Sequence, residues 1–274
     1  MRQRIVLRGG VALITGAASG IGRALTLDLA GRGGALALLD RDAQGLAETG
    51  ARAEALGATV DLHGLDLADA AAIRALPAAI RARHGRLDLL VNNAGVALGG
   101  AFADTDLDDF EWVLDVNLRA PVRLIHALLP LLRESRPAWI VNVSSLYGIV
   151  APPGQTAYCA SKFGLRGFSE SLRHELSGSG TGLTLVHPGG VATAIARNAR
   201  LPRGADPVQA ERGRAAHERF LKLAPETAAA EILRAVERGA PRALVGSDAR
   251  LVSLLQRLMP VGYWSLLGRL ARQG

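Results

Sequence analysis

Tyr158 and Lys162 are a pair of residues that could carry acid–base chemistry. They stand four residues apart, so on a helix both side chains would lie on the same face. Lysine is rare in this chain, because 30 of its 32 basic residues are arginines. A lysine ammonium is compact and donates hydrogen bonds in several directions, whereas a guanidinium is wide and planar. Taken alone, the pair could equally be an ordinary one on a helix surface.

A cation beside the phenol would change how readily Tyr158 loses its proton. At a distance of about 4 Å and an effective dielectric constant of about 20, the ammonium would favour the phenolate by roughly 4 kcal/mol, or about three pKa units. The tyrosine pKa would then fall from about 10 to near neutrality, where a phenol can act as general acid or base. We therefore predict that Tyr158 transfers a proton and that Lys162 lowers its pKa.

A glycine-rich segment near the N-terminus is typical of a nucleotide phosphate site. The apolar run 11–14 predicts a buried strand, residues 15–22 carry three glycines, and a helical pattern follows. This order brings backbone N–H groups and a helix N-terminus to a pyrophosphate, and glycine permits the close approach. A second apolar run ends at Asp40, 18 residues after Gly22. An acidic residue at about this position binds the adenosine ribose hydroxyls in dinucleotide sites.

These motifs resemble those of the short-chain dehydrogenase/reductase family, over nearly the whole chain. The family's Thr-Gly-x-x-x-Gly-x-Gly pattern is matched by 15–22 and its Asn-Asn-Ala-Gly stretch by 92–95. Its adenine-ring aspartate resembles Asp66, and its Pro-Gly segment, with a threonine that holds the nicotinamide carboxamide, is similar to 188–193. The family's serine stands 13 residues before its tyrosine, which selects Ser145 over Ser144. The resemblance implies the catalytic residues Asn117, Ser145, Tyr158 and Lys162. It implies the cofactor-binding residues Thr15, Gly16, Ser19, Gly20, Ile21, Gly22, Asp40, Arg41, Asp66, Leu67, Asn93, Ala94, Gly95, Tyr158, Lys162, Pro188, Gly189, Val191 and Thr193.

The same resemblance implies hydride transfer between a nicotinamide cofactor and a secondary alcohol or ketone. Ser145 would orient the substrate oxygen and stabilise its developing charge, and Tyr158 would exchange the proton. Lys162 would also bind the nicotinamide ribose, and Asn117 would hold a water that relays protons to solvent. The cofactor carries the hydride chemistry, so we expect no metal. The mostly apolar segment 146–155 suggests an apolar or medium-sized substrate.

The choice between NAD and NADP depends on Asp40 and Arg41. The Asp40 carboxylate could accept hydrogen bonds from both ribose hydroxyls and would repel a 2′-phosphate, which favours NAD. Arg41 could turn toward a 2′-phosphate, so an NADPH-dependent carbonyl reductase is an alternative. A further alternative is a nucleotide-binding or scaffolding protein without turnover, although such a protein would have no need of the catalytic set.

Length and composition agree with a single α/β domain. The chain has 274 residues, of which 49% are hydrophobic, enough for a large core. The alternation of elements predicts a doubly wound, Rossmann-type parallel sheet with helices on both faces. We expect a dinucleotide-binding and catalytic domain over 1–246, with a substrate lid at about 193–223, and an amphipathic extension of the same domain over 247–274. The predicted strands are 11–14, 35–39, 89–91, 139–143, 183–186 and 243–245, and the predicted helices include 68–84, 107–134 and 155–177.

Charge and cysteine content argue against several other classes. The net charge of +7 is dispersed and aromatic residues make up only 4% of the chain, which argues against binding of nucleic acid. The single cysteine, Cys159, can form no internal disulfide, and no signal-peptide pattern precedes the first strand. We therefore expect a cytoplasmic protein. The family resemblance implies a homodimer or homotetramer.

Two basic segments have more than one interpretation. Arg197, Arg200 and Arg203 follow the Pro-Gly segment and could either attract an anionic substrate or form the solvated face of a lid. Residues 250–272 combine leucines at helical spacing with arginines, a tyrosine and a tryptophan. This segment could lie on a membrane surface, pack on a second subunit or cover the substrate pocket. We expect protein packing rather than membrane contact.

Overall fold

The computed structural model of the chain describes residues 5–204 and 218–273, with side chains as far as residue 268. Its centre is a parallel sheet in the order β3-β2-β1-β4-β5-β6-β7. The chain crosses from one half of the sheet to the other after β3, so the order reverses between β1 and β4. Ligands bind to such sheets at the carboxyl ends of the strands beside this reversal. The strands are β1 (Val11–Thr15), β2 (Ala35–Asp40), β3 (Thr59–Gly64), β4 (Leu89–Asn92), β5 (Ala138–Val143), β6 (Thr181–Pro188) and β7 (Arg242–Val245).

Helices cover both faces of the sheet, as predicted. Alternate residues of β1 face opposite sides, so that Ile14 packs against α1 and α7 while Leu13 packs against α3 and α5. Both side chains are fully buried, which is why the central strands are apolar on both faces. The helices are α1 (Gly20–Gly31), α2 (Ala43–Ala55), α3 (Ala70–His84), α4 (Leu107–Leu114), α5 (Ala120–Glu134), α6 (Thr156–Glu175), α7 (Pro225–Glu237), α8 (Ser247–Leu258) and α9 (Tyr263–Gln273).

Strand β3 was absent from the predicted strands. It lies at the edge of the sheet, beside β2, and several of its side chains are partly or wholly exposed. Polar Asp61 and His63 alternate with apolar residues along it, and their side chains pair at 2.8 Å. An edge strand therefore lacks the continuous apolar run by which the central strands were recognised.

The predicted helix 107–134 is interrupted. Helix α4 ends at Leu114, a π-helical turn spans Asp115–Arg119, and α5 begins at Ala120 with Pro121 in its first turn. Such turns insert one residue into a helix and are frequent at functional sites. Here the turn contains Asn117, one of the four predicted catalytic residues.

Two further expectations concern the ends of the domain. Part of the predicted lid, residues 205–217, lies outside the described residues. Helices α8 and α9 follow the last strand and lie within residues 247–274, for which an amphipathic extension was predicted. Within the described part of the chain, no helix has the length and apolar character that crossing a bilayer requires.

Candidate active site

The turn after β1 depends on glycine at three positions. Gly16 and Gly20 have positive φ angles of 68° and 53°, which residues with a Cβ rarely adopt. A Cβ on Gly22 would lie 2.0 Å from the carbonyl oxygen of Gly16. The predicted cofactor-binding glycines therefore determine the path of the backbone from β1 into α1.

The N-terminus of α1 is available to an anion. Ser19 precedes the helix, and within residues 5–204 and 218–273 its side chain caps none of the first N–H groups. The N–H groups of a first helical turn lack partners in their own helix, and the helix dipole favours negative charge there. Ile21 packs on the core behind this turn. The segment Ser19–Gly22 thus fits a pyrophosphate.

Asp40 lies at the carboxyl end of β2 and faces the glycine-rich turn. Its carboxylate accepts hydrogen bonds from the backbone N–H groups of Ala18 and Asp42, each at 3.0 Å. These bonds hold the carboxylate at the position predicted for a ribose contact. Arg41 is exposed, and its guanidinium carbon lies 6.0 Å from the centroid of the Trp112 ring.

Thr15 and Asn93 join the ends of β1 and β4. The Thr15 hydroxyl accepts hydrogen bonds from the N–H groups of Asn93 and Ala94, each at 3.0 Å, and donates to the Val91 carbonyl. The Asn93 amide donates to the Thr15 carbonyl at 2.9 Å. Because the Thr15 side chain is buried and engaged within the fold, it holds the two strand ends together.

Asp66 and Leu67 follow β3 at the same edge of the sheet. The Asp66 carboxylate accepts a hydrogen bond from the N–H of Ala68 at 2.9 Å, and the residue is exposed. Leu67 is buried beneath it. Leu65 donates its N–H to the Asp40 carbonyl at 3.1 Å, so both predicted adenosine-side carboxylates belong to neighbouring strand ends.

The Pro-Gly segment, residues 188–193, leads from β6 back to the glycine-rich turn. Pro188 is the last residue of β6, and Val191 is buried. A Cβ on Gly20 would lie 3.0 Å from the Cγ2 of Thr193. The predicted pyrophosphate turn and the Pro-Gly segment therefore lie next to each other at this point.

Tyr158 and Lys162 lie one helical turn apart on α6, as predicted, and both are buried. The Lys162 Nζ lies 5.6 Å from the centroid of the Tyr158 ring and donates to the Val143 carbonyl at 3.0 Å. A Cβ on Gly95 would lie 3.4 Å from this Nζ. The end of β5, the segment after β4 and α6 therefore meet around the lysine.

Burial dominates the proton affinities of this pair. It raises the pKa of Tyr158 to about 12, opposed by a hydrogen bond with Ser145 and reinforced by Tyr147 and Cys159. Burial also lowers the pKa of Lys162 to about 8. The prediction of a near-neutral Tyr158 is therefore wrong in direction for the chain alone. Loss of water around the phenolate is the largest cause of this shift, and the ammonium lies over the ring and donates to a carbonyl.

Two consecutive serines follow β5, and their surroundings distinguish them. Ser144 is buried, and its hydroxyl donates to the Lys162 carbonyl at 3.0 Å. Ser145 is partly exposed and accepts a hydrogen bond from the Tyr147 N–H at 3.1 Å, and its side chain lies close enough to Tyr158 to lower the pKa of that phenol. Of the two, Ser145 is placed to meet a ligand beside Tyr158, in agreement with the spacing.

Asn117 connects α6 to the segment after β4. Its Oδ1 accepts from the Val96 N–H at 2.8 Å, and its Nδ2 donates to the Val96 carbonyl at 2.9 Å and to the Ser161 hydroxyl at 3.1 Å. Ser161 donates in turn to the Tyr158 carbonyl at 2.7 Å. Both amide hydrogens are thus used within the chain, so the side-chain amide serves first to brace the site.

Two residues near the site were missed by the sequence interpretation, Ser161 and His187. His187 is fully buried at the end of β6, and its Nδ1 lies 2.9 Å from the Ser145 carbonyl oxygen. Burial lowers the pKa of His187 to about 4, so its ring is neutral near pH 7. The available signals were modest: a serine directly before Lys162 and a histidine directly before the Pro-Gly segment.

The three arginines of the segment predicted as a lid are paired with carboxylates. These pairs favour a solvated surface over an anionic-substrate site. Arg200 is additionally held through its backbone, because its N–H donates to the Ala97 carbonyl at 2.9 Å. The pairs are Arg197–Glu218 at 3.7 Å, Arg200–Asp109 at 2.6 Å and Arg203–Asp106 at 2.9 Å.

Helix α9 contacts the segment that follows Ser145. The hydroxyl of Tyr263 in α9 accepts a hydrogen bond from the Ala151 N–H at 2.9 Å. Ala151 belongs to the segment between Ser145 and Tyr158. On the outer side of α8, Leu251 and Leu258 are 68% and 71% exposed. Of the interpretations of this segment, covering the substrate side agrees with the Tyr263 contact.

Comparison with known proteins agrees with this geometry. The sequence model for short chain dehydrogenases matches residues 10–204. A protein described as the putative oxidoreductase SadH of Mycobacterium tuberculosis is 42% identical over 261 residues, 94% of this chain and 94% of that protein.

Two solved structures are similar over most of the chain. A short-chain dehydrogenase/reductase from Burkholderia phymatum in complex with NAD has a TM-score of 0.86 at 30% identity, covering 92% of this chain and 94% of that one. A metagenomic short-chain oxidoreductase in complex with NADP has a TM-score of 0.64 at 37% identity, covering 67% of this chain and 84% of that one. The chain therefore belongs to the short-chain dehydrogenase/reductase family of oxidoreductases.

Proposed function

We propose that the protein transfers a hydride between a nicotinamide cofactor and a secondary alcohol or ketone, with Tyr158 as general acid or base. The observation that carries this proposal is the convergence of Ser145, Tyr158 and Lys162 at the carboxyl edge of the sheet. The Ser145 side chain lies close enough to the phenol of Tyr158 to lower its pKa, and the lysine ammonium lies over the tyrosine ring. Convergent polar groups with perturbed pKa values in a buried site are typical of catalysis.

The chain's own residues would divide the reaction between them. The Ser145 hydroxyl would donate to the substrate oxygen and stabilise charge on it. Tyr158 is protonated near pH 7 and would give its proton to that oxygen in reduction. In oxidation, Tyr158 would first lose its own proton and would then accept the proton of the alcohol hydroxyl. Burial lowers the pKa of Lys162 to about 8, so its ammonium can release a proton at a pH only slightly above neutral. The nicotinamide, when bound, would supply or accept the hydride.

The cofactor would be held along the first strands, and we favour NAD. The uncapped N-terminus of α1 fits the pyrophosphate, and Asp40 is held at 3.0 Å from the Ala18 N–H, next to it. Its charge would oppose a 2′-phosphate. The alternative, an NADPH-dependent carbonyl reductase, is supported by the exposed guanidinium of Arg41 and by the relative in complex with NADP.

The substrate side supports an apolar or medium-sized secondary alcohol or ketone. Ile149 and Val150 are buried in the segment after Ser145. The Tyr147 ring stands edge-on to the Tyr158 ring, with centroids 6.1 Å apart. Aromatic and aliphatic groups beside a few polar ones are typical of small-molecule sites.

The first experiment is a titration of the purified protein with NADH and with NADPH, followed by nicotinamide fluorescence. We expect NADH to bind at least about tenfold more tightly. Tighter binding of NADPH would favour the carbonyl reductase. Binding of neither cofactor would contradict the enzyme proposal.

A second experiment tests the role of Tyr158. A panel of secondary alcohols and ketones is assayed with the wild type, Tyr158→Phe and the matched control Tyr147→Phe. We expect Tyr158→Phe to lose turnover by about 100-fold or more while NADH binding is kept, and Tyr147→Phe to lose much less. Cofactor binding with no turnover of any substrate would favour the nucleotide-binding or scaffolding alternative.

We also propose that residues 1–246 and 247–274 form one folded unit, with a lid at about 193–223, and that this unit assembles into a homodimer or homotetramer. The contact between Tyr263 and Ala151 supports the first point, and the exposed Leu251 and Leu258 support the second. Light scattering after size exclusion measures the assembly directly. A monomer at micromolar concentration would contradict it.

A further inference from the structure

Helix α8 contacts the Pro-Gly segment through Asp248. This residue lies in the first turn of α8, and its Oδ2 accepts a hydrogen bond from the Gly190 N–H at 2.6 Å. A Cβ on Gly189 would lie 2.2 Å from both carboxylate oxygens of Asp248. The carboxylate therefore occupies the space that any side chain at Gly189 would need.

Asp248 serves another segment rather than its own helix. Aspartates at helix starts commonly accept hydrogen bonds from N–H groups of the same first turn. Here the N-cap residue is Gly246, with a φ of 92°, and the carboxylate bonds to Gly190, 58 residues away in the sequence. The helix dipole also favours a carboxylate in this turn, so α8 holds Asp248 against the segment.

Other backbone hydrogen bonds of the Pro-Gly segment are made to the end of β7 and to the residues just before α7. The Gly189 N–H donates to the Val245 carbonyl at 3.0 Å. The Gly190 carbonyl accepts from the N–H groups of Lys222 and Leu223 at 2.9 and 3.0 Å. Gly190 thus has its carbonyl oxygen held by one part of the chain and its N–H held by Asp248, which fixes the orientation of both adjoining peptides.

We propose that Asp248 is a positioning residue for the nicotinamide end of the cofactor. It acts through Gly190, which directly precedes Val191 and stands three residues before Thr193. The Thr193 side chain lies beside Gly20 of the glycine-rich turn. A hydrogen bond to a charged acceptor is shorter and stronger than a neutral one, so it can hold this turn while ligands exchange. The proposal rests on the proposed function, since it presupposes a nicotinamide cofactor.

The test compares NADH with ADP-ribose, which has the adenosine and both phosphates but no nicotinamide. Dissociation constants of both ligands are measured by calorimetry for the wild type and Asp248→Ala. We expect Asp248→Ala to weaken NADH binding about tenfold and to leave ADP-ribose binding within about twofold. Equal weakening of both ligands, or no weakening of NADH, would overturn the proposal.

The variant Asp248→Asn tests whether the hydrogen bond to Gly190, rather than the loss of the side chain, determines NADH affinity. Asp248→Asn retains an oxygen that can accept from the Gly190 N–H, so we expect NADH binding between that of the wild type and Asp248→Ala. This variant also carries the test if Asp248→Ala fails to fold. An NADH affinity in Asp248→Asn as low as in a folded Asp248→Ala would overturn the role of this hydrogen bond.

Glu226 provides the matched control. It lies in the first turn of α7, and in the part of the chain that the structure describes it has no bond to residues 188–193. Glu226→Ala should leave NADH binding unchanged, and a loss as large as in Asp248→Ala would attribute the effect to net charge and overturn the proposal. Failure of the wild type to bind ADP-ribose would instead contradict the proposed dinucleotide site.

Discussion

The ammonium nitrogen of Lys162 lies 5.6 Å from the centre of the Tyr158 ring, over its face. It donates to the Val143 carbonyl at 3.0 Å, so the lysine is anchored to the end of β5. Burial of both groups leaves the phenol with a raised pKa and the ammonium with a lowered one. The phenol of Tyr158 is therefore protonated and can donate its proton to the substrate oxygen in reduction. Oxidation first requires that Tyr158 lose this proton and become a phenolate.

The rate of alcohol oxidation should therefore rise with pH. Because the pKa of Tyr158 is raised to about 12, the phenolate fraction increases throughout the range from about pH 7 to about pH 10. Ketone reduction uses the protonated phenol and should not rise over the same range. The measurement is kcat/KM in both directions against pH. An oxidation rate independent of pH would contradict this assignment of the general base.

Loss of charge at position 40 should change cofactor preference. Asp40→Asn retains the size of the side chain but removes the charge that opposes a 2′-phosphate. We expect the ratio of NADPH to NADH affinity to rise by about tenfold or more. Fluorescence titration with both cofactors measures the ratio.

Replacement of Arg41 tests whether its guanidinium contributes to the binding of the NADPH 2′-phosphate. Arg41→Ala should leave NADH binding nearly unchanged, because this guanidinium is exposed and NADH offers it no 2′-phosphate. In the double variant with Asp40→Asn, the gain in NADPH affinity should shrink. A full gain in the double variant would show that Arg41 takes no part.

His187 should make the protein less stable in mild acid. Burial holds its pKa at about 4 in the folded protein, whereas in the unfolded chain it titrates near 6.5. As the pH falls below about 6.5, the unfolded chain takes up a proton that the folded chain does not. This uptake should lower the free energy of unfolding by about 2 kcal/mol between about pH 7 and about pH 5.

Replacement of His187 with Asn should flatten this pH dependence while a donor to the Ser145 carbonyl is kept. Urea unfolding of both proteins at each pH measures the difference. Burial also lowers the pKa of His84, and that contribution is present in both proteins and cancels. Parallel curves for the two proteins would refute the role of His187.

Loss of the Tyr263 hydroxyl should affect the substrate more than the cofactor. The hydroxyl accepts from the Ala151 N–H at 2.9 Å, in the segment that follows Ser145. We expect Tyr263→Phe to raise the KM for substrate about two- to fivefold and to leave NADH binding unchanged. Val261→Ala, at a side chain 92% exposed, is the control. An unchanged KM in Tyr263→Phe would exclude α9 from the substrate pocket.

The placement of the main site residues was predictable because it follows from local patterns. Asp40 directly follows one apolar strand segment and Ser145 is the second residue after another, and the carboxyl ends of parallel strands share one edge of a sheet. Tyr158 and Lys162 needed only a helix to bring them together. Strand β3 was missed because its polar alternation suits a sheet edge, and the π-helical turn at Asn117 was missed because it retains the apolar pattern of a continuous helix.

The sequence by itself determined which chemical groups meet at this edge, and with them the family and the class of reaction. Only the tertiary structure decided the pKa values of these groups and the contacts that hold them in place. The pKa of Tyr158 depends on how much water the surrounding segments exclude, which no local spacing records. The contacts of Asp248 with Gly190 and of His187 with Ser145 join residues 58 and 42 positions apart. Such contacts exist only once the sheet has brought distant segments together.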